Sequence, residues 1–426
     1  MNNPSVDNRI KENNYHFVSL ALNWLKYGLS HHIDADDIST EDVTQTYEQM
    51  IEGGQINPPP NFLTLSQKFQ LTEFEQNILL LCVAVELNPI FSTLYSQANK
   101  NDKITYPTLG LAFSLFNYTN WEAISPESPL RYWGLVELIN INTENLITSP
   151  LKANERIIHF ILGSNYLDPR LKSVLKPFFV PRNKQLDPAI SDSQTKIQDR
   201  ILNELKNDLQ SAEIPHLYLL GSNLLVKERI VKQVCQQLDL SLFILKVEHL
   251  PTNSQDLESF IRLYQRESRL LSLALYINIQ VLDNEPSNSI KYMALQDFLQ
   301  SCQGVVFINS QENLQQFPHP KLIFDITKPT PEEQFQFWGQ SLGKKNEQYS
   351  QILTSQFNLN LIDIQNVITS IQPPIKKGAK INGKFQSLWQ GCLAHSVPKM
   401  EQLAQRIELK ATWDDIVLPE AIKEQL

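Results

Sequence analysis

Glycine is scarce in this sequence: 13 of 426 residues, about 3%, are glycine, whereas about 7% is usual. A glycine-rich phosphate-binding loop must therefore be sought at individual positions. Long apolar runs are also lacking. The longest, Ile78–Val85, is far shorter than the roughly 20 residues of a membrane helix, and the polar start of the chain offers no signal peptide. We therefore expect a cytoplasmic protein without membrane contact.

Motifs for metal binding and nucleophilic catalysis are absent as well. The cysteines show no Cys-x-x-Cys spacing, and neither Gly-x-Ser-x-Gly nor His-Glu-x-x-His occurs. Nucleophilic and metal-assisted hydrolysis therefore have no support from the sequence. We expect buried thiols in a reducing compartment at four positions: Cys82, Cys235, Cys302 and Cys392.

The charge balance is acidic, with a formal net charge of −9 and a pI near 5.5. This balance argues against a protein whose main affinity comes from neutralising a nucleic-acid backbone. The hydrophobic share of 42% is ordinary for a globular protein. Because 426 residues exceed the size of a single hydrophobic core, we expect two or three domains.

The first part of the chain has the periodicity of a helical domain. Thr72 and Glu75 form a capping box, in which each side chain satisfies a backbone donor at the start of a helix. The helix that follows, Glu73–Leu87, is strongly apolar and is expected to form the domain core. Further helices are predicted at Asn14–Leu29, Glu41–Ile51, Asn88–Ala98, Thr108–Phe116 and Asn154–Leu162.

The next part of the domain has the residue pattern of strands and not of helices. The apolar and aromatic stretch Leu130–Ile139 predicts a strand, and Leu146 with Ile147 is its expected partner. Helices followed by a two-stranded ribbon indicate a winged-helix-like domain, which we assign to residues 1–182, with a linker at 183–190.

From residue 191 onward, short apolar strands alternate with helices, which is typical of a parallel sheet covered by crossover helices. The predicted strands are His216–Leu220, Ser241–Val247, Leu273–Asn278, Val305–Asn309 and Leu322–Ile326. The predicted helices between them are Lys227–Leu238, Gln255–Arg269 and Ile290–Cys302. Only helices follow, at Glu332–Leu342, Tyr349–Phe357, Leu361–Ile371 and Lys384–His395. We therefore assign an α/β block to residues 191–345 and a helical lid to residues 346–402.

Several segments carry a family resemblance: Phe69–Cys82, Tyr106–Ala112, Pro129–Trp133, Pro150–Arg156 and Ala404–Pro419. The first four resemble the N-terminal region of bacterial AAA-family ATPases with a winged-helix domain and tandem AAA modules. The last resembles the lead-in to the second module, so residues 403–426 start a new module and the chain looks truncated. The resemblance covers nearly the whole chain and implies a P-loop-type AAA module with a helical lid.

The same resemblance carries expectations about cofactors and partners. It implies that ATP and Mg²⁺ bind the intact second module, which would begin where this sequence ends. It also implies a homo-oligomer, a hexamer, for the full-length protein. Some family members are encoded beside phage-tail-like contractile injection systems, which suggests a role in assembling or remodelling such particles.

An AAA module of this family holds nucleotide with the motif Gly-x-x-x-x-Gly-Lys-Ser/Thr between its first strand and first helix. Backbone N–H groups wrap the phosphates, the lysine reaches them and the hydroxyl binds magnesium. At this place the chain retains Gly221 and Lys227, but Val226 replaces the second glycine and Glu228 replaces the hydroxyl. The vestigial nucleotide site predicted here comprises Gly221, Ser222, Lys227, Asn278 and Asn309. We expect no tight ATP binding.

The acidic residues for hydrolysis are also missing. The strand Leu273–Asn278 ends in an amide where an Asp-Glu pair would bind magnesium and activate water. Asp283 and Glu285 follow in a predicted loop and are poor substitutes. Asn309 and Ser310 stand where the family's first sensor would lie, although such a pair is also ordinary turn chemistry. In the lid, the uncharged Gln365 occupies the place of a nucleotide-contacting arginine. We therefore expect no catalytic residue.

Two polar clusters allow other interpretations. The residues His31, His32, Asp34, Asp36 and Asp37 contain good metal ligands, but a solvated loop with a helix cap is the more common use of such a cluster. The residues Lys376, Lys377, Lys380 and Lys384 could contact phosphate or an acidic partner, but again a solvated loop is favoured. We expect no metal site.

A winged helix can bind DNA through a basic recognition helix. The predicted core helix instead carries Glu73, Glu75 and Glu86, and the candidate wing near Arg131 is not conspicuously basic. Contact with a protein partner is therefore favoured over nucleic acid.

Our leading hypothesis is a recruiting and regulatory chain: an N-terminal domain that binds a protein partner, joined to a first AAA module that supports ring assembly without hydrolysing ATP. One alternative is an active module that uses unorthodox residues such as Glu228 or Asp283. A second alternative is a winged-helix DNA-binding protein.

Overall fold

The computed structural model describes residues 4–34, 38–118, 121–139, 145–178, 189–208, 214–279, 288–310, 321–370 and 384–396. The chain forms two compact units. The first unit comprises Met1–Pro181, Glu204–Leu220 and Val231–Phe324, and the second comprises Arg182–Asn203, Gly221–Ile230 and Asp325–Leu426. Several predictions lie outside the described residues, namely those on Asp36, Asp37, Asp283, Glu285, Lys376, Lys377, Lys380 and residues 403–426.

The first unit begins with helices packed around one apolar core. They are α1 (Pro4–Ile33), α2 (Thr40–Gly54), α3 (Asn61–Lys68), α4 (Glu73–Leu87), α5 (Ile90–Ala98) and α6 (Leu109–Phe116). The helix α4 is the centre of this core, and both halves of its predicted capping box are present between Thr72 and Glu75. The helix α3 was not predicted. It starts directly after Pro60, which suits a helix start because the first N–H groups of a helix need no intrahelical partner.

The predicted ribbon is present, but its pairing differs from the prediction. Residues Leu130–Ile139 do not form one strand: α7 (Pro129–Tyr132) comes first, Gly134 with a φ of 59° follows, and β1 covers only Val136–Leu138. The partner of β1 is β2 (Leu151–Ala153), antiparallel, and not Leu146 with Ile147. The reason is burial: the alternating side chains of β2 place Leu151 and Ala153 in the core, whereas Leu146 and Ile147 are exposed. The helix α8 (Glu155–Ile161) then follows as predicted.

A six-stranded sheet forms the rest of the first unit. Its strands are β3 (Leu175–Pro177), β4 (His216–Leu220), β5 (Ser241–Leu245), β6 (Leu273–Asn278), β7 (Val305–Asn309) and β8 (Lys321–Asp325), in the order β3-β5-β6-β7-β4-β8. The pairs β5-β6, β6-β7 and β4-β7 are parallel, and β3 pairs antiparallel with β5. The prediction of a parallel sheet is therefore confirmed for β4, β5, β6 and β7, whereas the antiparallel edge strand β3 was not predicted. Because β4 lies between β7 and β8, the strand order reverses beside β4, which is where open α/β sheets bind ligands.

Crossover helices connect these strands. They are α9 (Asp192–Asp208), α10 (Leu224–Gln237), α11 (Ser254–Leu271) and α12 (Asn288–Ser301). The helix α11 packs Leu257, Phe260 and Tyr264 into the core of the sheet, where they meet Phe298 of α12.

The second unit contains the helical lid. Its helices are α13 (Pro331–Leu342), α14 (Glu347–Gln356), α15 (Leu361–Ser370) and α16 (Phe385–Ser396), each close to its predicted bounds. Trp338, Leu353 and Ile364 are buried in a shared core. At the start of α13, Glu333 completes a capping box with Thr330 and also accepts hydrogen bonds from the backbone N–H and the hydroxyl of Ser193.

All four cysteines are buried free thiols, as predicted. Burial raises the pKa of Cys235 and Cys302 to about 12, so neither is a reactive thiolate. Within the described ranges, no helix has both the length and the apolar content to cross a bilayer.

Candidate functional site

The glycine that follows β4 is required by the fold itself. Gly221 has a φ of 116°, a backbone conformation that side chains disfavour. A β-carbon added at this position would overlap the backbone carbonyl of Ile326. The survival of Gly221 therefore needs no bound phosphate to explain it.

The predicted phosphate loop closes into a helix soon after this glycine. The helix α10 begins at Leu224, and the side-chain oxygen of Asn223 accepts the backbone N–H of Val226 at 3.1 Å. Val226 thus lies within the first helical turn and is fully buried. The amide that would face a phosphate in a Gly-Lys loop is bonded to its own chain. A helical residue at position 226 also removes the need for a second glycine.

The lysine of the motif is buried against its own loop. Lys227 is 0% exposed, and its Cε lies 3.7 Å from the position of a β-carbon built on Gly221. Burial lowers the pKa of Lys227 to about 8, although the charge of Asp325 acts in the opposite direction. Burial also raises the pKa of the neighbouring Glu228. Ser222 is exposed on the same loop.

The other two predicted site residues meet at the tips of β6 and β7. Asn278 and Asn309 are paired in the sheet register, and Asn309 Nδ2 donates to Asn278 Oδ1 at 3.0 Å. Asn309 is fully buried. Ser310 follows it, and its backbone N–H donates to the Leu219 carbonyl at 3.2 Å. The described end of β6 therefore carries a neutral amide pair in place of the carboxylates that would hold magnesium.

The remaining sequence candidates have local roles. Gln365 is exposed on α15. Arg131, the candidate wing residue, donates to the Ile124 carbonyl at 3.1 Å within its own domain. A ring nitrogen of His31 lies 2.6 Å from the Ile38 carbonyl. Within the described part of the chain, no group of three or more His, Cys, Asp or Glu side chains is arranged to hold a metal ion.

A buried ion network, which was not predicted from the sequence, joins the N-terminal helical region to α11. Arg266 Nη2 donates to Asp168 Oδ2 at 2.6 Å and to Glu267 Oε1 at 3.1 Å. Arg156 Nε donates to the other oxygen of Glu267 at 3.1 Å. Arg170 forms two further hydrogen bonds with Asp168, at 2.8 and 3.1 Å. Arg156, Arg266 and Glu267 are at most 2% exposed, so the two domains share a desolvated network of paired charges.

Aromatic rings and one further hydrogen bond extend this joint along α11. The guanidinium of Arg269 lies 4.3 Å from the ring centroid of Trp133, and that of Arg262 lies 4.8 Å from Tyr132. Lys68, at the end of α3, donates to the Arg269 carbonyl at 2.6 Å. We call this contact of α11 with residues 68 and 132–170 the α11 joint.

One sequence signal could have revealed the joint. Glu267 continues the apolar stripe of α11, three residues after Tyr264 and seven after Phe260, where a carboxylate would be buried. A charge on such a stripe requires a buried partner.

Two family models match the chain: "Winged helix domain, variant" over residues 40–175, and "Contractile injection system ATPase helical domain" over residues 330–398. Among solved structures, the crystal structure of the FIGL-1 AAA domain is similar at 15% identity, covering 56% of this chain and 93% of that chain, with a TM-score of 0.35. The Aeropyrum pernix ORC1 protein in complex with DNA is similar at 13% identity, covering 52% and 70%, with a TM-score of 0.34. No curated protein sequence matches the chain.

The fold and the two matched domains define the class: a parallel α/β module with a helical lid, preceded by a winged-helix domain. The chain thus contains a winged-helix domain and a helical domain that matches the model of contractile injection system ATPases.

Proposed function

We propose that this chain is a recruiting and assembly component of an AAA-type machine, in which its own AAA module neither binds ATP tightly nor hydrolyses it. Other AAA modules of the machine would supply hydrolysis. The match of residues 330–398 to a helical domain of contractile injection system ATPases supports a place beside such particles.

The main support for this proposal is the loop after β4, which continues directly into the helix α10. A phosphate cradle needs free backbone N–H groups and an extended lysine. In this chain the N–H of Val226 is bonded to Asn223, and Lys227 is fully buried. The carboxylate of Glu228 adds repulsion toward a polyphosphate where a hydroxyl would bind magnesium.

The amide pair at the strand tips supports the same conclusion. Hydrolysis needs a carboxylate to hold magnesium and a base to orient water. Asn309 donates a hydrogen bond to Asn278 at 3.0 Å, and neither amide can accept a proton from water at neutral pH.

The α11 joint supports the recruiting part of the proposal. Buried ion pairs, cation–π contacts and the Lys68 hydrogen bond fix the winged-helix domain to α11, which itself packs on the sheet. A partner bound to the winged-helix domain is thereby held in a fixed position on the AAA module. A module in this role needs a stable shape and does not need to cycle nucleotide.

Phosphate release by the purified chain tests the proposal. We expect no release above background with Mg²⁺ and ATP, and the same rate for wild type and Lys227→Ala. Steady release that is lost in Lys227→Ala would overturn the proposal in favour of an unorthodox active module.

A further inference from the structure

A groove runs across the winged-helix domain between α1, α2 and α4. A cavity of about 280 Å³ is lined by Trp24, Tyr47, Met50 and Leu80, among others. A second cavity of about 330 Å³ is lined by Phe116 and Tyr118. Glu73 and Asn77 line both cavities, so the two form one groove. We call it the Glu73 groove.

Aromatic rings form much of this groove. Trp24 stacks on Phe116 with ring centroids 6.2 Å apart and contacts Tyr47 at 5.4 Å. Phe74 continues the row to Tyr118, whose ring is 52% exposed. The two cavity volumes lie just below and just above the roughly 300 Å³ at which small-molecule sites begin, and a row of two such cavities suits successive side chains of a peptide.

The charge around the groove is strongly one-sided. The helix α2, which lines the first cavity, carries Glu41, Asp42, Glu48 and Glu52 and no Lys or Arg. Glu73 is the charged side chain among the described residues that line the two cavities. Between α2 and α4 the sequence has one basic residue, Lys68. The ammonium of Lys68 is bonded to the Arg269 carbonyl in the α11 joint. Glu73, between the two cavities, is exposed and accepts a hydrogen bond from the Tyr47 hydroxyl at 3.3 Å.

We propose that the Glu73 groove binds a cationic amphipathic segment of a partner protein, an inference that rests on the recruiting role proposed above. Large apolar side chains of the segment, spaced at i and i+3 or i+4, enter the two cavities, and a Lys or Arg between them pairs with Glu73. The charge complementarity speeds encounter and excludes acidic surfaces, so this face repels nucleic acid.

Selection of binding peptides on the full chain tests the proposal without a known partner. A phage-displayed library of random peptides about 16 residues long, or roughly four helical turns, is selected against the wild-type chain. Soluble labelled copies of the enriched peptides are then titrated by fluorescence anisotropy. We expect peptides with paired large apolar residues and several Lys or Arg, and a Kd that rises with salt.

Three variants locate the bound peptide. Glu73→Gln keeps the side-chain shape, and because Glu73 is exposed the lost ion pair is expected to raise the Kd about two- to fivefold. Met50→Asp places a charge in the first cavity and is expected to raise the Kd at least about tenfold. Glu127→Gln makes the same chemical change at an exposed site that lines neither cavity, so it is the matched control and is expected to change the Kd less than about 1.5-fold. Thermal unfolding of each variant verifies that the domain is folded, and the Glu73→Gln result stands alone if Met50→Asp does not fold.

The outcomes separate this proposal from the proposed function. Selection of acidic or neutral peptides, of none, or of peptides indifferent to both Glu73→Gln and Met50→Asp would overturn the groove assignment. Peptides that bind the chain elsewhere would still leave the recruiting role standing. Phosphate release dependent on Lys227 would overturn the proposed function without affecting the groove.

Discussion

The α11 joint predicts that removing a single buried charge loosens the contact between the two domains of the first unit. Glu267 is fully buried and accepts hydrogen bonds from Arg156 and Arg266. The substitution Glu267→Gln keeps the size of the side chain but leaves Arg266 with Asp168 as its carboxylate partner and Arg156 with the amide oxygen of Asn165. Because breaking a buried ion pair from one side leaves an uncompensated charge, we expect a loss of about 3–5 kcal/mol in the free energy of unfolding.

The same helix provides a matched control. Glu258 pairs with Arg262 at 2.8 Å, but the two side chains are 72% and 37% exposed. Exposed pairs four residues apart on a helix contribute only about 0.3–0.5 kcal/mol. Glu258→Gln therefore makes the same chemical change on α11 at a small expected cost.

Urea unfolding followed by tryptophan fluorescence and circular dichroism measures both variants. Trp133, one of six tryptophans, lies in the joint, so the part of the fluorescence signal that is lost in a Trp133→Phe background reports on this contact. We expect Glu267→Gln to unfold at clearly lower urea, with the tryptophan signal changing before the helical signal. If Glu267→Gln costs no more than Glu258→Gln, the network does not stabilise the joint and the reasoning is refuted.

Three further predictions concern titration and backbone geometry. The pKa of Lys227 is about 8 in the folded chain and 10.5 in the unfolded chain, so the unfolded state binds more protons between these pH values. The free energy of unfolding of the wild type should therefore rise over this pH range, by up to about 3 kcal/mol relative to that of Lys227→Met. Denaturation curves at several pH values measure this, and a difference between the two proteins that does not change with pH would contradict it. Burial raises the pKa of Asp168, but the hydrogen bonds and charge of Arg170 and the charge of Arg266 outweigh it and lower the pKa to about 2. The stability that Asp168 contributes is therefore complete above pH 3.8 and is lost as the pH falls through about 2, by about 2 kcal/mol; acid unfolding of Asp168→Asn should lack this step. Gly221→Ala should lower the free energy of unfolding by about 1–3 kcal/mol in thermal unfolding, since it forces a β-carbon onto the Ile326 carbonyl. Gly339→Ala in α13 is the control: its β-carbon meets open space, so it should be neutral or stabilising. Equal effects of the two substitutions would show that Gly221 is not constrained.

Much of the fold follows from local patterns. The strands β4, β6 and β7 lie where apolar runs predicted them, because buried parallel strands read as short continuous apolar segments. Capping chemistry placed the start of α4 at Thr72. The sequence pattern did not predict α3, because the proline run before it indicated only the end of the preceding helix. It also predicted the wrong partner for β1, because burial and not local apolar character selects Leu151–Ala153.

The site was less accessible to sequence reasoning. Missing motif residues predicted a vestigial nucleotide site, but they did not indicate that α10 would begin before Lys227 or that the lysine would be buried. The α11 joint depends on pairs far apart in sequence: Arg156 and Glu267 are separated by 111 positions, and Asp168 and Arg266 by 98. The position of Glu267 on the apolar stripe of α11 indicates a buried charge, but the sequence does not identify its partners, which the fold reveals.

Calorimetric titration of the chain with ATP and Mg²⁺ tests the central claim most directly, since it measures occupancy without requiring turnover. The account predicts no binding heat up to millimolar ATP, with identical traces for wild type and Lys227→Ala. Magnesium-dependent binding in the micromolar range that disappears in Lys227→Ala would contradict it, because the loop after β4 would then open to hold a phosphate.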